Sequence, residues 1–264
     1  MTRNYQYNFS KIDDSMFDDS QRVLKAKKTI SVLEDFLADT KNLTLLDIGC
    51  SSGIMTYEYA KKFKKIIAVD IDEQAVNYAK TNKSKRNIDY KVIPIEELDL
   101  EENSIDVITC SHIYEHVPSA ENLMVNIYKF LKPGGVCYFA AGNRYKIIEG
   151  HYKLPFLSFF PKKIANIYIR IFTKYDEYYE SHLSLRNLKK LVRQFYVHDY
   201  TLKIIKDPEK FYANDQINGG TISYYYLNIL GKLLYFMIPT YIWILEKPKR
   251  KISEKWKLWY LLLI

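Results

Sequence analysis

The chain has little cysteine: Cys50, Cys110 and Cys137 are the only three in 264 residues, and no two form a Cys-x-x-Cys pair. An odd, scattered set argues against a disulfide framework or a zinc knuckle and points to buried free thiols in a reducing cytoplasm. An apolar leader is lacking too. Met1–Phe9 is polar and tyrosine-rich, so no signal peptide is expected. There is no internal repeat and no low-complexity linker. The aromatic residues are not arranged as an RNP-type strand, so nucleic acid is not the expected partner.

What is present is apolar bulk and uneven positive charge. Hydrophobic residues make up 48% of the chain and aromatics 15%, enough to bury the core of one α/β domain with an insertion or a small lobe. The formal net charge is +8, concentrated in two places. Arg144 to Lys174 carries seven Lys/Arg against one Glu, and Lys247 to Lys257 carries six against one. Such a bias favours anionic partners such as lipid headgroups, phosphorylated substrates or nucleic acid. For the charge alone, a solvated surface is the favoured explanation.

From Leu43 onward, short apolar runs alternate with helical stretches. Strands are expected at 43–48, 65–70, 88–93, 105–111 and 135–141, and helices at 20–38, 54–63, 73–83 and 119–131. This alternation implies a parallel sheet covered on both faces, with ligands outside the carboxyl ends of the strands. Gly49, Asp70, Pro94 and Ser111 all fall at such ends. The regularity stops at Asn143, where a basic, aromatic stretch with Pro155 and Pro161 reads as an insertion covering the site. A helix near 184–195, a strand near 199–206, a helix near 219–236 and a strand at 241–246 follow. The expected divisions are an N-terminal helical segment (1–42), a ligand-binding core (43–143), the insertion (144–183), the remainder of the sheet with an added helix (184–246) and a basic aromatic tail (247–264).

Leu45-Leu46-Asp47-Ile48-Gly49-Cys50-Ser51-Ser52-Gly53 is an apolar strand that breaks at a small-residue turn and enters a helix. Ile67-Ala68-Val69-Asp70 is a second strand, ending in a carboxylate 21 positions after Gly49. Small residues let backbone approach a ligand, and an acid at the next strand's tip can grip a ribose diol. A pyrophosphate-binding turn needs Gly-x-Gly-x-x-Gly, but Ser51 and Ile54 occupy the second and third glycine places. The turn is instead Gly-x-x-x-Gly with Asp47 two residues ahead. This resembles the first motif of the class I S-adenosylmethionine (SAM) methyltransferases. Ser104–Ser111 is similar to that family's fourth strand, and Lys132-Pro133-Gly134-Gly135 to its turn before the fifth. The resemblance is close over residues 43–143 and looser beyond, and nearest to the ubiquinone-type O-methyltransferase subgroup.

The resemblance implies a Rossmann-like, doubly wound, mostly parallel seven-stranded sheet with an antiparallel last strand. It implies SAM as cofactor and S-adenosylhomocysteine (SAH) as product. By position, Gly49, Cys50 and Gly53 would line the turn beside the methionine part, and Asp47 would orient it. Asp70 would hold the ribose, with a helix N-cap as the alternative, and Ile71 would lie on the adenine. Pro94 stands where many members carry an adenine-binding Asp, so backbone groups of Ile95 and Glu96, or the Glu96 carboxylate, would serve there. Ser111 and His112 would border the cofactor. His116, in Ile113-Tyr114-Glu115-His116-Val117, would act as a base or orienting group for a substrate hydroxyl, or pack under SAM and shape the pocket. His112 and His116 are four apart, but with no third ligand nearby no metal is expected. Asn143, Glu149 and His151 in the insertion are candidate substrate contacts, with His182 behind them.

The position after the fourth strand reads Ser111-His112-Ile113-Tyr114 rather than an Asn/Asp-Pro-Pro-Tyr/Phe motif, which disfavours base N-methylation. An oxygen acceptor is the expectation. The alternatives are a soluble sugar or metabolite methyltransferase, an RNA methyltransferase using the basic insertion, and a SAM-binding module without catalysis. Tyr224 to Leu245 is apolar enough to suggest a spanning helix, but Pro239 divides it into a helical and a β-rich half. In the tail, Lys247, Lys249, Arg250 and Lys251 precede Trp256-Lys257-Leu258-Trp259-Tyr260 and Leu261–Ile264. That pattern suits the interface of an anionic bilayer and suggests a cytoplasmic, peripheral enzyme with a lipid-linked acceptor. Packing on the domain or a homodimer contact are the rival uses of the tail.

Overall fold

The computed structural model describes residues 4–11, 14–215 and 233–249. Seven strands are present: β1 Thr44–Ile48, β2 Lys65–Asp70, β3 Ile88–Val92, β4 Ile105–Ser111, β5 Leu131–Gly142, β6 Tyr196–Asp199 and β7 Thr240–Glu246. They form one sheet in the order β3-β2-β1-β4-β5-β7-β6. β1 to β5 are parallel, and β7 runs antiparallel between β5 and β6. This is the sheet that the resemblance implied, mostly parallel with an antiparallel last strand.

The helices are α1 Asp19–Leu37, α2 Ile54–Tyr59, α3 Glu73–Asn82, α4 Ala120–Phe130, α5 Lys162–Phe172, α6 Leu185–Leu191 and α7 Thr201–Lys206. Their starts are set by local chemistry. Asp18 accepts the Ser20 and Gln21 amides, Asp72 the Ala75 amide, and Ser119 the Asn122 amide. Successive residues of β1 belong to opposite core layers: Leu45 packs in one, Leu46 and Ile48 in the other. A strand covered on both faces must be apolar throughout, which is why β1, β2 and β4 read as continuous apolar runs. All three cysteines are buried and free.

The expected strand near 199–206 is overturned. β6 ends at Asp199, whose carboxylate accepts the Thr201 amide at 2.8 Å, and the Thr201 hydroxyl accepts the Ile242 amide at 3.0 Å. The chain turns out of the sheet into α7, where Ile204 and Ile205 are buried. The helix expected near 219–236 lies largely outside the described residues, as do residues 250–264 of the tail. Within 233–236 a short 3-10 turn, Tyr235–Met237, begins. Lys247, read as the first residue of a basic tail, is instead buried. Its ammonium donates to Asn103 Oδ1 at 2.7 Å and to the carbonyls of Tyr128 at 2.6 Å and Leu131 at 2.7 Å.

The insertion builds a small cluster of its own from Leu157, Ala165, Ile169 and Tyr178. No helix among the described residues is long and apolar enough to cross a membrane.

Candidate active site

Strand order reverses between β1 and β4, and a cavity of about 430 Å³ opens at the carboxyl ends of β1 to β3. Gly49, Asp70, Ile71, Ile95, Glu96 and His116 lie on its wall. Gly49 has φ +76°, and a Cβ there would meet Ile113 Cδ1 at 2.1 Å, so the turn needs glycine. Asp70 is fixed on the wall by its neighbours: Oδ2 accepts the Ser51 amide at 2.8 Å and Oδ1 the Asp72 amide at 3.0 Å. Burial pushes its carboxyl above the usual range despite these bonds. Asp72, not Asp70, caps α3, so the N-cap reading of Asp70 is overturned.

Several expected cofactor contacts lie behind this wall. Asp47 is buried and accepts the hydroxyls of Thr56 and Thr109, each at 2.6 Å, which ties the start of α2 to β4. It orients the turn from beneath. Gly53 has φ +74°, and a Cβ there would crowd Ala79 and the Tyr90 hydroxyl. Its smallness serves helix packing. Cys50 is buried, and burial raises its thiol well above the ordinary value. Ser111 pairs with Ala140 in the β4–β5 ladder, and neither it nor His112 is on the cavity wall.

Gln6, Tyr7, Val117 and Pro118 complete the wall and were not anticipated. Gln6 and Tyr7 are brought there because Ser10 donates its amide (2.7 Å) and hydroxyl (3.0 Å) to the Asp72 carboxylate. The only signal in the sequence is an acid just beyond the β2 tip.

On the far side of His116, three segments meet. The turn after β4 carries His112 to His116, the loop after β5 carries Asn143 to Tyr152, and a returning segment carries Tyr178 to Leu183. His112 and His116 do not act together. His112 is half-exposed at φ +57°, with Nδ1 3.2 Å from Glu115 Oε1. His116 is nearly buried, its ring 5.5 Å from that of His151 and 6.1 Å from that of Phe9. Burial pushes the His116 imidazole down to about 3, outweighing the attraction of Glu115. Burial would raise Glu115, but the His112 hydrogen bond and the neighbouring imidazoles bring it down to about 2.

Asn143 and Glu149, expected to touch substrate, are taken up by the protein. The Asn143 amide donates to the carbonyls of Phe236 (2.7 Å) and Ile238 (2.9 Å), and is 3.0 Å from the Tyr241 hydroxyl. Glu149 is fully buried; Oε1 accepts from Lys146 at 2.7 Å, and Oε2 accepts the amides of His151 at 2.7 Å and Tyr152 at 3.0 Å. Burial opposes ionisation of Glu149, but the bond from His182 and the Lys146 charge hold its carboxyl far below the usual range. His182 is buried beside this pair. His151 is exposed on the loop that Glu149 fixes. Glu180 was not singled out in the sequence, yet it is buried beside His116 and His151. Donor atoms of the three residues all lie within 4.8 Å of one another. The expectation of no metal rested on the lack of a third ligand and on SAM chemistry needing none; two further donors stand beside His116.

Residues 46–139 match the family model described as a methyltransferase domain. Over 103 residues the chain is 38% identical to the ubiquinone biosynthesis O-methyltransferase of Idiomarina loihiensis, a match covering 38% of this chain and 42% of that enzyme. Over 104 residues it is 33% identical to the corresponding enzyme of Acinetobacter baylyi, covering 38% and 44%. The match thus spans less than half the length of each of these two relatives. Among solved structures, the plantazolicin methyltransferase BpumL in complex with SAH superposes with a TM-score of 0.55 at 18% identity, over 93% of this chain and 90% of that one. Phosphoethanolamine N-methyltransferase 2 of Haemonchus contortus in complex with SAM gives 0.51 at 20% identity, over 83% and 52%. At these identities the likeness is one of fold. Sequence match and sheet order agree: residues 46–139 match a methyltransferase domain, carried on a sheet with the strand order of the class I SAM-dependent methyltransferase fold.

Proposed function

We propose that this protein transfers a methyl group from SAM to a hydroxyl oxygen of a small or lipid-linked, amphiphilic acceptor at the cytoplasmic face of a membrane. The observation that carries this reading is the cavity at the strand ends. It has a carboxylate at the β2 tip, an apolar wall of Ile71, Pro94 and Ile95, and His116 at one end. Those residues fit an adenosyl group: Asp70 for the ribose, Ile71 and Ile95 for the base, and the Gly49 turn for the amino-acid part. When bound, SAM supplies an electrophilic methyl on a sulfonium, already a good leaving group. The chain's task is to hold the acceptor oxygen in line and take its proton. His116, kept neutral by burial, offers a ring-nitrogen lone pair that orients the hydroxyl, and the same burial makes the imidazole a weak proton acceptor. The relatives' named activity, O-methyl transfer in ubiquinone biosynthesis, supports oxygen as the acceptor atom.

Helix α5 supports the amphiphilic acceptor. Ala165 and Ile169 anchor it, while Ile164, Ile167 and Ile171 stand outward at helical spacing, 50%, 58% and 67% exposed. Exposed Lys163, Arg170 and Lys174 flank this stripe. An apolar stripe rimmed with cations suits an anionic bilayer surface. The deciding experiment is transfer of radiolabel from methyl-labelled SAM to lipid, quinone-precursor, saccharide and RNA fractions. Label in a lipid or quinone-precursor hydroxyl is expected, and label confined to RNA would overturn the reading.

A further inference from the structure

We propose that His116, His151 and Glu180 form a binding site for a divalent transition-metal ion on the acceptor side of the cavity. The three come from separate segments, and their donor atoms lie within 4.8 Å of one another. A tetrahedral ion held at about 2.0–2.2 Å from each sets donor separations of about 3.3–3.6 Å. A pair at the 4.8 Å limit must therefore close by somewhat more than about 1 Å, a movement that rotation of the exposed His151 side chain supplies while its backbone stays tied to Glu149.

A second observation points to a cation. Glu180 is only 3% exposed, and one of its carboxylate oxygens is buried with no hydrogen-bond partner. A buried carboxylate oxygen without a partner is costly, and an adjacent cation removes that cost. The surroundings hold the donors in place. Glu149 accepts the His151 amide and is itself locked by Lys146. The Ser181 amide donates to the Glu115 carbonyl at 3.0 Å, which fixes Glu180 beside His116. The Phe9 ring stands 6.1 Å from the His116 ring and 6.0 Å from that of His151, an apolar wall against both. Outer contacts of this kind fix ligand orientation at metal centres.

Two imidazoles and one carboxylate suit zinc, cobalt, nickel, manganese or iron rather than calcium or magnesium, which favour all-oxygen sites. Three protein ligands leave coordination positions for another oxygen. Because His116 is also on the cavity wall, those positions are within reach of an acceptor hydroxyl. Binding of the ion is independent of methyl transfer; its action on the acceptor rests on the function proposed above. In the loaded protein the His116 lone pair would be committed to the ion, which would lower the pKa of a bound acceptor hydroxyl so that its proton passes to solvent water.

The test is calorimetry and visible absorption on the full chain, stripped with a chelator and titrated with Zn²⁺ or Co²⁺. One ion per chain is expected, with the absorption of Co²⁺ bound to imidazole nitrogen. Removing an outer partner costs about 10–100-fold in metal affinity. Loss of a direct ligand in His151→Ala or Glu180→Gln should cost at least as much, with SAH affinity unchanged in His151→Ala. The absence of both heat and absorption change in the intact chain would overturn the site, as would a His151→Ala variant that binds as tightly as the parent. SAH binding without metal binding overturns the metal site alone. Metal binding without SAM or SAH binding overturns the methyltransferase reading alone.

Discussion

The Tyr114 hydroxyl accepts the amide hydrogen of Leu183 at 3.0 Å and donates its own proton to the Gly142 carbonyl. One buried phenol thereby ties the turn after β4, the end of β5 and the segment returning from the insertion. Tyr114→Phe keeps the ring against Phe139 and removes both bonds. The expected loss is about 1–3 kcal/mol of stability in denaturant titration, with faster amide exchange at Leu183. Parent-like values of both would show that the segments are joined by other contacts.

Asp70→Ala should weaken SAM binding by about 1.5–3 kcal/mol, the loss of charge-assisted hydrogen bonds to the ribose. Calorimetry measures this directly. Unchanged affinity would remove Asp70 from the cofactor site, and a preference for NAD over SAM would contradict the cofactor assignment as a whole.

How far the sequence was legible divides along the same line as the site. Gly49 and Asp70 could be placed at strand ends because local pattern dictates them (an apolar strand, a small-residue turn, a polar tip), whereas Ile71, Ile95 and Glu96 followed from the family resemblance. Asp47, Cys50 and Gly53 come from the same turn, but which of its atoms face ligand and which face α3 is decided by packing. The acceptor side was less legible. Glu180 reaches His116 on a segment held by bonds such as Tyr114–Leu183, Arg144–Leu183 and Ser181–Glu115, and no periodicity foretells such a meeting. The mistaken strand at 199–206 has a simpler origin. Ile204-Ile205 is a short apolar run, and such runs suit helix and strand alike until a neighbour such as Asp199 redirects the backbone.

His116→Ala should lower turnover by about a hundredfold or more while leaving SAM affinity near that of the parent. The imidazole is neutral at every pH above about 3, so its own titration should not shape the rate between pH 6 and 8. Steady-state kinetics across that range decide the matter. A variant that keeps most of its turnover would assign His116 to packing.

The same imidazole has a consequence for acid stability. Its folded value of about 3 is below the unfolded value near 6.5, so its contribution is present above pH 6.5 and is lost as pH falls toward 3. Glu115, at about 2 against an unfolded value near 4.5, loses its contribution only below about pH 4.5. His116→Gln should reduce the slope of stability against pH between 6 and 5 by up to about 1.4 kcal/mol per pH unit. Glu115→Gln should leave that interval alone and flatten the fall below pH 4. Equal slopes in parent and His116→Gln would mean that the imidazole is charged in the folded state.

Ile167→Glu combined with Ile171→Glu should leave the fold intact, since both side chains are mostly exposed, and should reduce co-sedimentation with anionic vesicles. Equal pelleting of parent and variant would exclude α5 from membrane attachment. A variant chain lacking residues 250–264 tests the tail separately.

The seat of Lys247 also sets where this polypeptide can be severed. Its backbone pairs with Gly134 and Gly135 at 2.8 and 2.9 Å, and its ammonium uses all three donors on the oxygens of Asn103, Tyr128 and Leu131. A chain stopped at Glu246 would strip the cation from that pocket and unfasten the edge of β5. One stopped at Pro248 would retain both. Between those two stops lies the boundary between removing an appendage and removing a rivet.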